Sequence, residues 1–331
     1  MDRTLITVLI SVAAGFVAAL LLGKALLPAL RALKAGQSIK EIGPKWHNSK
    51  AGTPTMGGLM FIAAAILCVL TGWLAMREGD NGHLFALGLA LMFGLIGFYD
   101  DFIKVKKKRN LGLTGTQKLL LQVLASAIFL AAMHFTGHLN YDLYIPFVKE
   151  PVAHVPTVLY LAVAIFAIVG CVNAVNLTDG IDGLASGVTM PVMVFFVLVS
   201  MSMKRAGLAT FPAALLGGLG GFLCYNFHPA KVFMGDTGSL FLGGAVAGLA
   251  FVLDMPLVLL LVGLIYVIEA LSDIIQVGYF KLTHGKRIFK MAPIHHHFEM
   301  CGWSEEKIWT VFVLVTAIMC VVAWFGVRIW F

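Results

Sequence analysis

The chain has 331 residues, of which 60% are hydrophobic and only 12% charged. A soluble fold with that balance would leave a large apolar surface in water, so a globular cytosolic protein is excluded and an integral membrane protein is expected. The formal charge of +7 does not mark a nucleic-acid binder, because membrane topology accounts for where the cations sit.

A spanning helix needs about 20 apolar residues to cross roughly 30 Å of hydrocarbon. Ten runs meet that demand, over residues 4–30, 56–76, 83–99, 117–135, 155–174, 184–203, 208–226, 239–254, 256–280 and 308–330. The expected fold is an all-α polytopic membrane protein with ten transmembrane helices, forming one domain over residues 1–331. The first run lacks an A-x-A-like cleavage site and is longer than a signal-peptide core, so it reads as a retained helix.

Lysine and arginine set the orientation. Alternate connections carry Arg31, Lys34, Lys40, Lys45 and Lys50, then Lys104, Lys106, Lys107, Lys108, Arg109 and Lys118, then Lys231, then Lys281, Lys286, Arg287, Lys290 and Lys307. The opposite connections carry only Arg3, Arg77, Lys149, Lys204, Arg205 and Arg328. The rich set is cytoplasmic by the positive-inside rule, which puts both termini outside. The five cysteines are scattered, without the spacing of a disulfide framework or a zinc site.

The concentrated polar chemistry falls on the cytoplasmic side, which points to an active site and not a pore. Asp100 and Asp101 close the third run. Two adjacent carboxylates repel unless a cation or proton relieves them, and they suit Mg²⁺, a hard ion that bridges carboxylates to phosphates; a solvated helix end is the plainer alternative. In the connection after the fifth run, Asn173, Asn176, Asp179 and Asp182 recur every third residue, in a loop without Lys or Arg. An Asx-turn accounts for one of the four, and a ligand site for all of them.

Asp236 brings a third acid to the same side. Asp236 or Thr237 also fits the N-cap of the eighth helix. His295, His296 and His297 cannot all face one metal in regular structure, so they fit hydrogen bonding to phosphate or sugar better than zinc. Glu269 and Asp273, four apart in the ninth run, are either functional acids or packing partners of a group such as Lys24. Gly217, Gly218, Gly220, Gly221, Gly243 and Gly244 suit close helix packing, and Pro191 and Pro212 are candidate kinks.

Five segments taken together, PTMGG at 54–58, Asp100-Asp101, NAVNLTDGIDGLA at 173–185, FMGDTGS at 233–239 and APIHHHF at 292–298, resemble the polyprenyl-phosphate N-acetylhexosamine-1-phosphate transferases. Within that superfamily they resemble the phospho-N-acetylmuramoyl-pentapeptide transferase branch, in order and over essentially the whole chain. The resemblance implies a multi-pass enzyme of the bacterial inner membrane with ten spans, a bent ninth helix bordering a lipid groove, and a homodimeric assembly. It implies transfer of phospho-MurNAc-pentapeptide from its UDP carrier to undecaprenyl phosphate, giving lipid I and UMP. The cofactor would be Mg²⁺, held by Asp236 with Asp100 and Asp101 beside it, and Asp100 would deprotonate the lipid phosphate.

Lys50, Thr55, Asn176, Asp179, Asp182, Asn226, Phe233 and Gln276 would take the nucleotide side, with Lys118 and Asn173 also binding substrate. His295, His296 and His297 would meet the sugar diphosphate or the MurNAc end. A relative transferring GlcNAc-1-phosphate shares the acidic motifs, but the triple-histidine loop favours the MurNAc branch. An ion-coupled transporter would place its site near mid-membrane in interrupted repeats, which this sequence lacks.

Overall fold

The computed structural model describes residues 3–32, 50, 52–76, 81–107 and 111–331. Lys34, Lys40, Lys45, Arg77, Lys108 and Arg109, used above for orientation, lie outside them. The chain runs through α1 (Arg3–Ala32), α2 (Leu59–Met76), α3 (Gly82–Lys107), α4 (Gly115–Phe135), α5 (Thr157–Thr178), α6 (Leu184–Ser202), α7 (Ala206–Asn226) and α8 (Gly235–Val252). Then come α9 (Leu259–Val262), α10 (Leu264–Leu282), the short α11 (Ile294–Glu299) and α12 (Glu305–Val327). Two strands of two residues each, β1 (Asp142–Leu143) and β2 (Ala153–His154), pair antiparallel between α4 and α5.

Hydrocarbon offers no partner to a backbone N–H or C=O, so each apolar run closes its own hydrogen bonds as a helix. Among the described residues, eight helices are long and apolar enough to cross a membrane, or nine if α9 and α10, with the 3₁₀ turn before them, form one broken span. The second expected run is represented by the shorter apolar stretch Leu59–Thr71. The chain is thus a multi-pass membrane protein. The ninth run is bent by 82°, and the break falls at Gly263 between α9 and α10. Pro191 and Pro212 lie inside helices that run unbroken.

Burial sorts the helices. In α8, 89% of the apolar window is buried, against 22% in α1, so α8 is the central post and α1 lies at the periphery. Glycines set the closest approaches. A Cβ at Gly217 or Gly221 of α7 would strike the α1 backbone at Val12 or Phe16, and one at Gly243 of α8 would lie 2.6 Å from the Val172 Cα of α5.

Both ends of the helical chain sit at the same end of the bundle. Val8, near the start of α1, packs with Ala209 and Ala213 of early α7, and Gly326, near the end of α12, accepts the N–H of Phe147 beside the hairpin. The opposite end gathers the C-termini of α3, α5 and α7 and the N-termini of α4, α8 and α12, and with them the polar residues singled out above.

Candidate active site

Helix α3 does not stop at the acidic pair. It runs on through Lys107, and this places Lys104 one turn beyond Asp100 on the same face. Lys104 Nζ lies 2.6 Å from Asp100 Oδ2, 3.5 Å from Asp101 Oδ1 and 2.8 Å from Asp236 Oδ2. Lys118, in the first turn of α4, adds a second ammonium 3.1 Å from Asp236 Oδ2. The α4 start is held by a capping box between Thr114 and Gln117.

Asp236 reaches this point because α8 begins one turn earlier than the apolar pattern indicated. Gly235, at φ +69°, turns the chain into the helix. Neither Asp236 nor Thr237 is the N-cap; that position is Met234, without a side-chain cap. The cap comes from another helix. Asp101 Oδ2 accepts from Thr237 N at 2.9 Å and from Thr237 Oγ1 at 2.7 Å, putting a carboxylate on the positive end of α8. Asp100 Oδ1 accepts from Leu113 N at 2.7 Å, which ties down the approach to α4. One carboxylate oxygen from each of Asp100, Asp101 and Asp236 lies within 4.8 Å of the others.

The four residues at threefold spacing divide. Asn176 Nδ2 donates to Asp236 Oδ1 and to Ser239 Oγ, both at 2.8 Å. Asn173 lies a turn away from the carboxylates and exchanges amide hydrogen bonds with Gln122 of α4. Asp179 caps the C-terminus of α5. Burial first, then the nearby charges of Asp236, Asp101 and Asp182, push its carboxyl up to about 8. Asp182 belongs to a second cluster, where it accepts from Lys50 Nζ at 2.7 Å, His228 Nδ1 at 3.0 Å and Ala230 N at 2.9 Å. Glu305 of α12 joins it, 2.7 Å from Lys50 Nζ.

Asn226 donates to Val232 O at 2.9 Å, and the backbone of Phe233 bonds to Pro54 and Gly57. These contacts fasten the 227–234 loop to the segment carrying Thr55. The Gln276 amide is likewise engaged, accepting from Ile288 N and Phe289 N and donating to Phe289 O. The three histidines point to three different partners: His295 to Glu269, His296 to Glu299, and His297 to Lys290 N. Glu269 therefore pairs with His295, not with Lys24.

Residues 83–254 match the family model of Glycosyl transferase family 4, and residues 50–62 match phospho-N-acetylmuramoyl-pentapeptide-transferase signature 1. A phospho-N-acetylmuramoyl-pentapeptide-transferase of Clostridium acetobutylicum is 50% identical over 319 residues, covering 96% of this chain and 98% of the relative. One of Carboxydothermus hydrogenoformans is 51% identical over 310 residues, covering 92% and 94%. The chain belongs to the phospho-N-acetylmuramoyl-pentapeptide transferase family. It is a membrane transferase, and the residues matched by signature 1 include Lys50 and Thr55.

The carboxylates of this transferase make a donor set composed only of oxygen, which could hold a hard divalent cation. The Lys104 ammonium, in contact with all three, marks where positive charge is needed. Three carboxylates face two ammonium groups in this set, and burial together with the neighbouring Asp236 carboxylate pushes the Asp100 carboxyl above the usual range. Asp182, His228 and Glu305 form another compact group, where the Lys50 ammonium likewise pairs with both carboxylates.

Sequence reasoning took Lys104 only as a marker of topology, although its spacing from Asp100 and Asp101 was a helical signal for a bridge. His228 and Glu305 carried no local signal, since each meets Asp182 from a distant stretch of chain.

Asp179 gives the folded state a pH dependence. Its carboxyl is raised from an ordinary value near 3.8 to about 8, so the folded protein holds a proton there that the unfolded chain releases. Stability then falls as pH rises from about 4 to 8. Asp179→Asn should flatten this decline and raise the melting temperature at pH 8 relative to wild type in detergent. Parallel curves for the two proteins would refute the raised carboxyl.

Proposed function

We propose that the transferase moves phospho-MurNAc-pentapeptide from UDP-MurNAc-pentapeptide to undecaprenyl phosphate, releasing UMP and forming lipid I. The observation that carries this reading is the meeting of Asp100, Asp101 and Asp236 with Lys104 and Lys118 at one end of an apolar helical bundle. That site suits a water-soluble nucleotide sugar meeting a lipid-borne phosphate, and the named relatives are phospho-N-acetylmuramoyl-pentapeptide-transferases.

In this reading the polar end is cytoplasmic, both termini are outside, and α2 and the bent pair complete ten spans in the bacterial inner membrane. The positive-inside pattern supports that orientation, and the family resemblance supports a homodimer. An acceptor phosphate oxygen attacks the phosphorus that bears the sugar, the bond from that phosphorus to the bridging oxygen breaks, and UMP leaves. Asp100 takes the proton from the lipid phosphate. Lys104 and Lys118 hold the diphosphate and offset its charge.

Asp236, with Asp100 and Asp101 beside it, would hold Mg²⁺, which when bound neutralises charge developing on the diphosphate. Asn176 fixes the Asp236 carboxylate, while Lys50, Asp182, Asn226 and Gln276 shape the nucleotide side by holding the loops that border it. Thr55, Asp179 and Phe233 face the same side, and His295, His296 and His297 meet the donor sugar.

The test offers UDP-MurNAc-pentapeptide and UDP-GlcNAc separately with undecaprenyl phosphate in detergent and follows UMP. UMP should form with the pentapeptide donor alone, stop on addition of EDTA and return with Mg²⁺. Release from UDP-GlcNAc instead would transfer the enzyme to the GlcNAc branch, and turnover resistant to EDTA would remove the metal from the reading.

A further inference from the structure

Nε2 of His295 and Oε1 of Glu269 are buried polar atoms that find no partner among the described residues. The two side chains share one hydrogen bond, from His295 Nδ1 to Glu269 Oε2 at 3.0 Å, and they are only 1% and 0% exposed. Glu269 comes from α10, beyond the bend at Gly263, and His295 from the short α11. A carboxylate in an apolar bundle is retained only when it is paired and put to use.

Because a carboxylate only accepts, Nδ1 carries the hydrogen, and Nε2, closed off from solvent, is the nitrogen that makes no bond among the described residues. That nitrogen lies against Gly180; a Cβ at 180 would overlap the imidazole ring. Gly180 follows Asp179, whose carboxyl lies within the field of Asp236 and Asp101. A histidine kept for packing alone would have both nitrogens met, as buried polar groups generally are.

We propose that Glu269 is a positioning residue: it orients His295 so that Nε2, at the Asp179–Gly180 turn, is kept for the nucleotide-sugar donor. The inference rests on the donor-facing reading of the histidine loop and assigns the group that makes it work. Glu269 acts on donor use through His295 and leaves use of the lipid acceptor alone.

The test measures kcat and both KM values for wild type, Glu269→Ala, Glu269→Gln, His295→Ala and the Glu269→Ala/His295→Ala pair. His295→Ala and Glu269→Ala should each lower kcat/KM for UDP-MurNAc-pentapeptide by roughly 10- to 100-fold, the range expected when one partner of a buried hydrogen bond is lost. The KM for undecaprenyl phosphate should stay within about twofold. The double variant should be no worse than His295→Ala, and Glu269→Gln, which still offers an oxygen to Nδ1–H, should recover most of the loss.

Multiplying losses in the double variant, or an equal loss of lipid affinity, would overturn the proposal by making Glu269 a packing residue. Unchanged donor kinetics in His295→Ala would also overturn it, while UMP release by the wild type would leave the transferase reading standing. Should Glu269→Ala not fold, Glu269→Gln and the imidazole ¹⁵N signals decide. The Nδ1-protonated signature of His295 should appear in wild type and persist in Glu269→Gln, and its absence from wild type overturns the inference.

Discussion

Asp236→Ala should lower UMP release by about three powers of ten, equivalent to ~4 kcal/mol of transition-state stabilisation, while leaving the protein folded. Asp236 is where the other groups meet: Lys104, Lys118 and Asn176 all bond to its two oxygens. Its loss removes the carboxylate that draws both ammonium groups over the diphosphate, and one of three oxygen donors for the cation. Folding should survive, because Lys104 keeps Asp100 and Asp101 and the α8 N-terminus keeps its cap from Asp101. The measurement is UMP release per folded enzyme, with the melting temperature taken on the same sample. Turnover within tenfold of wild type would remove Asp236 from the reaction.

Gly97→Ala should disable the enzyme without touching a polar residue. Gly97 is the position on α3 over which the first turn of α8 crosses; a Cβ there would overlap Asp236 O and lie 2.7 Å from Thr237 N. Two effects oppose each other. Alanine gains about 0.8–1 kcal/mol of helix propensity over glycine, but forcing it into packed backbone costs typically ~1–3 kcal/mol or more. The steric term wins, since backbone on both sides cannot rotate away.

Separating α3 from α8 also breaks the bonds from Thr237 to Asp101 and moves Asp236 off Lys104. We expect a lower melting temperature and at least a hundredfold loss of UMP release, in line with the sensitivity of catalysis to misplacement of about 1 Å. Gly88→Ala, on the same helix with nothing within 4 Å of its would-be Cβ, is the control and should melt at or above the wild-type temperature. Equal behaviour of the two variants would show that the crossing does not depend on Gly97.

The acidic motifs were legible one by one, yet their spacing misled about how they cooperate. Asn173, Asn176, Asp179 and Asp182 look like one helical face, but α5 ends at Thr178. Past that point the threefold rhythm has no helix to act on. Of the four, only Asn176 bonds directly to Asp236; Asp179 closes the end of α5, while Asn173 and Asp182 fasten α4 and the 227–234 loop.

His295 could be named as a site candidate from its triplet. Its partner could not be singled out: Glu269 and Asp273 had equal claim on the helical face, and the choice was made by the bend at Gly263 and the placement of α11. Likewise Lys50 appeared as a lone cation, because the Asp182 and Glu305 that hold it are 132 and 255 residues away.

The sequence by itself determined the membrane class, the helices and the pooling of acids, amides and histidines in connections of one sidedness. It could do so because hydrocarbon makes each span satisfy its own backbone, which writes the helices locally as apolar runs, and because cations bias loops residue by residue. Only the tertiary structure decided which charges meet. An ion pair or hydrogen bond acts over about 3 Å, so whether Lys104 reaches Asp236, or Glu269 reaches His295, depends on where helices cross and bend. Those crossings are set by glycine contacts between segments far apart in the chain.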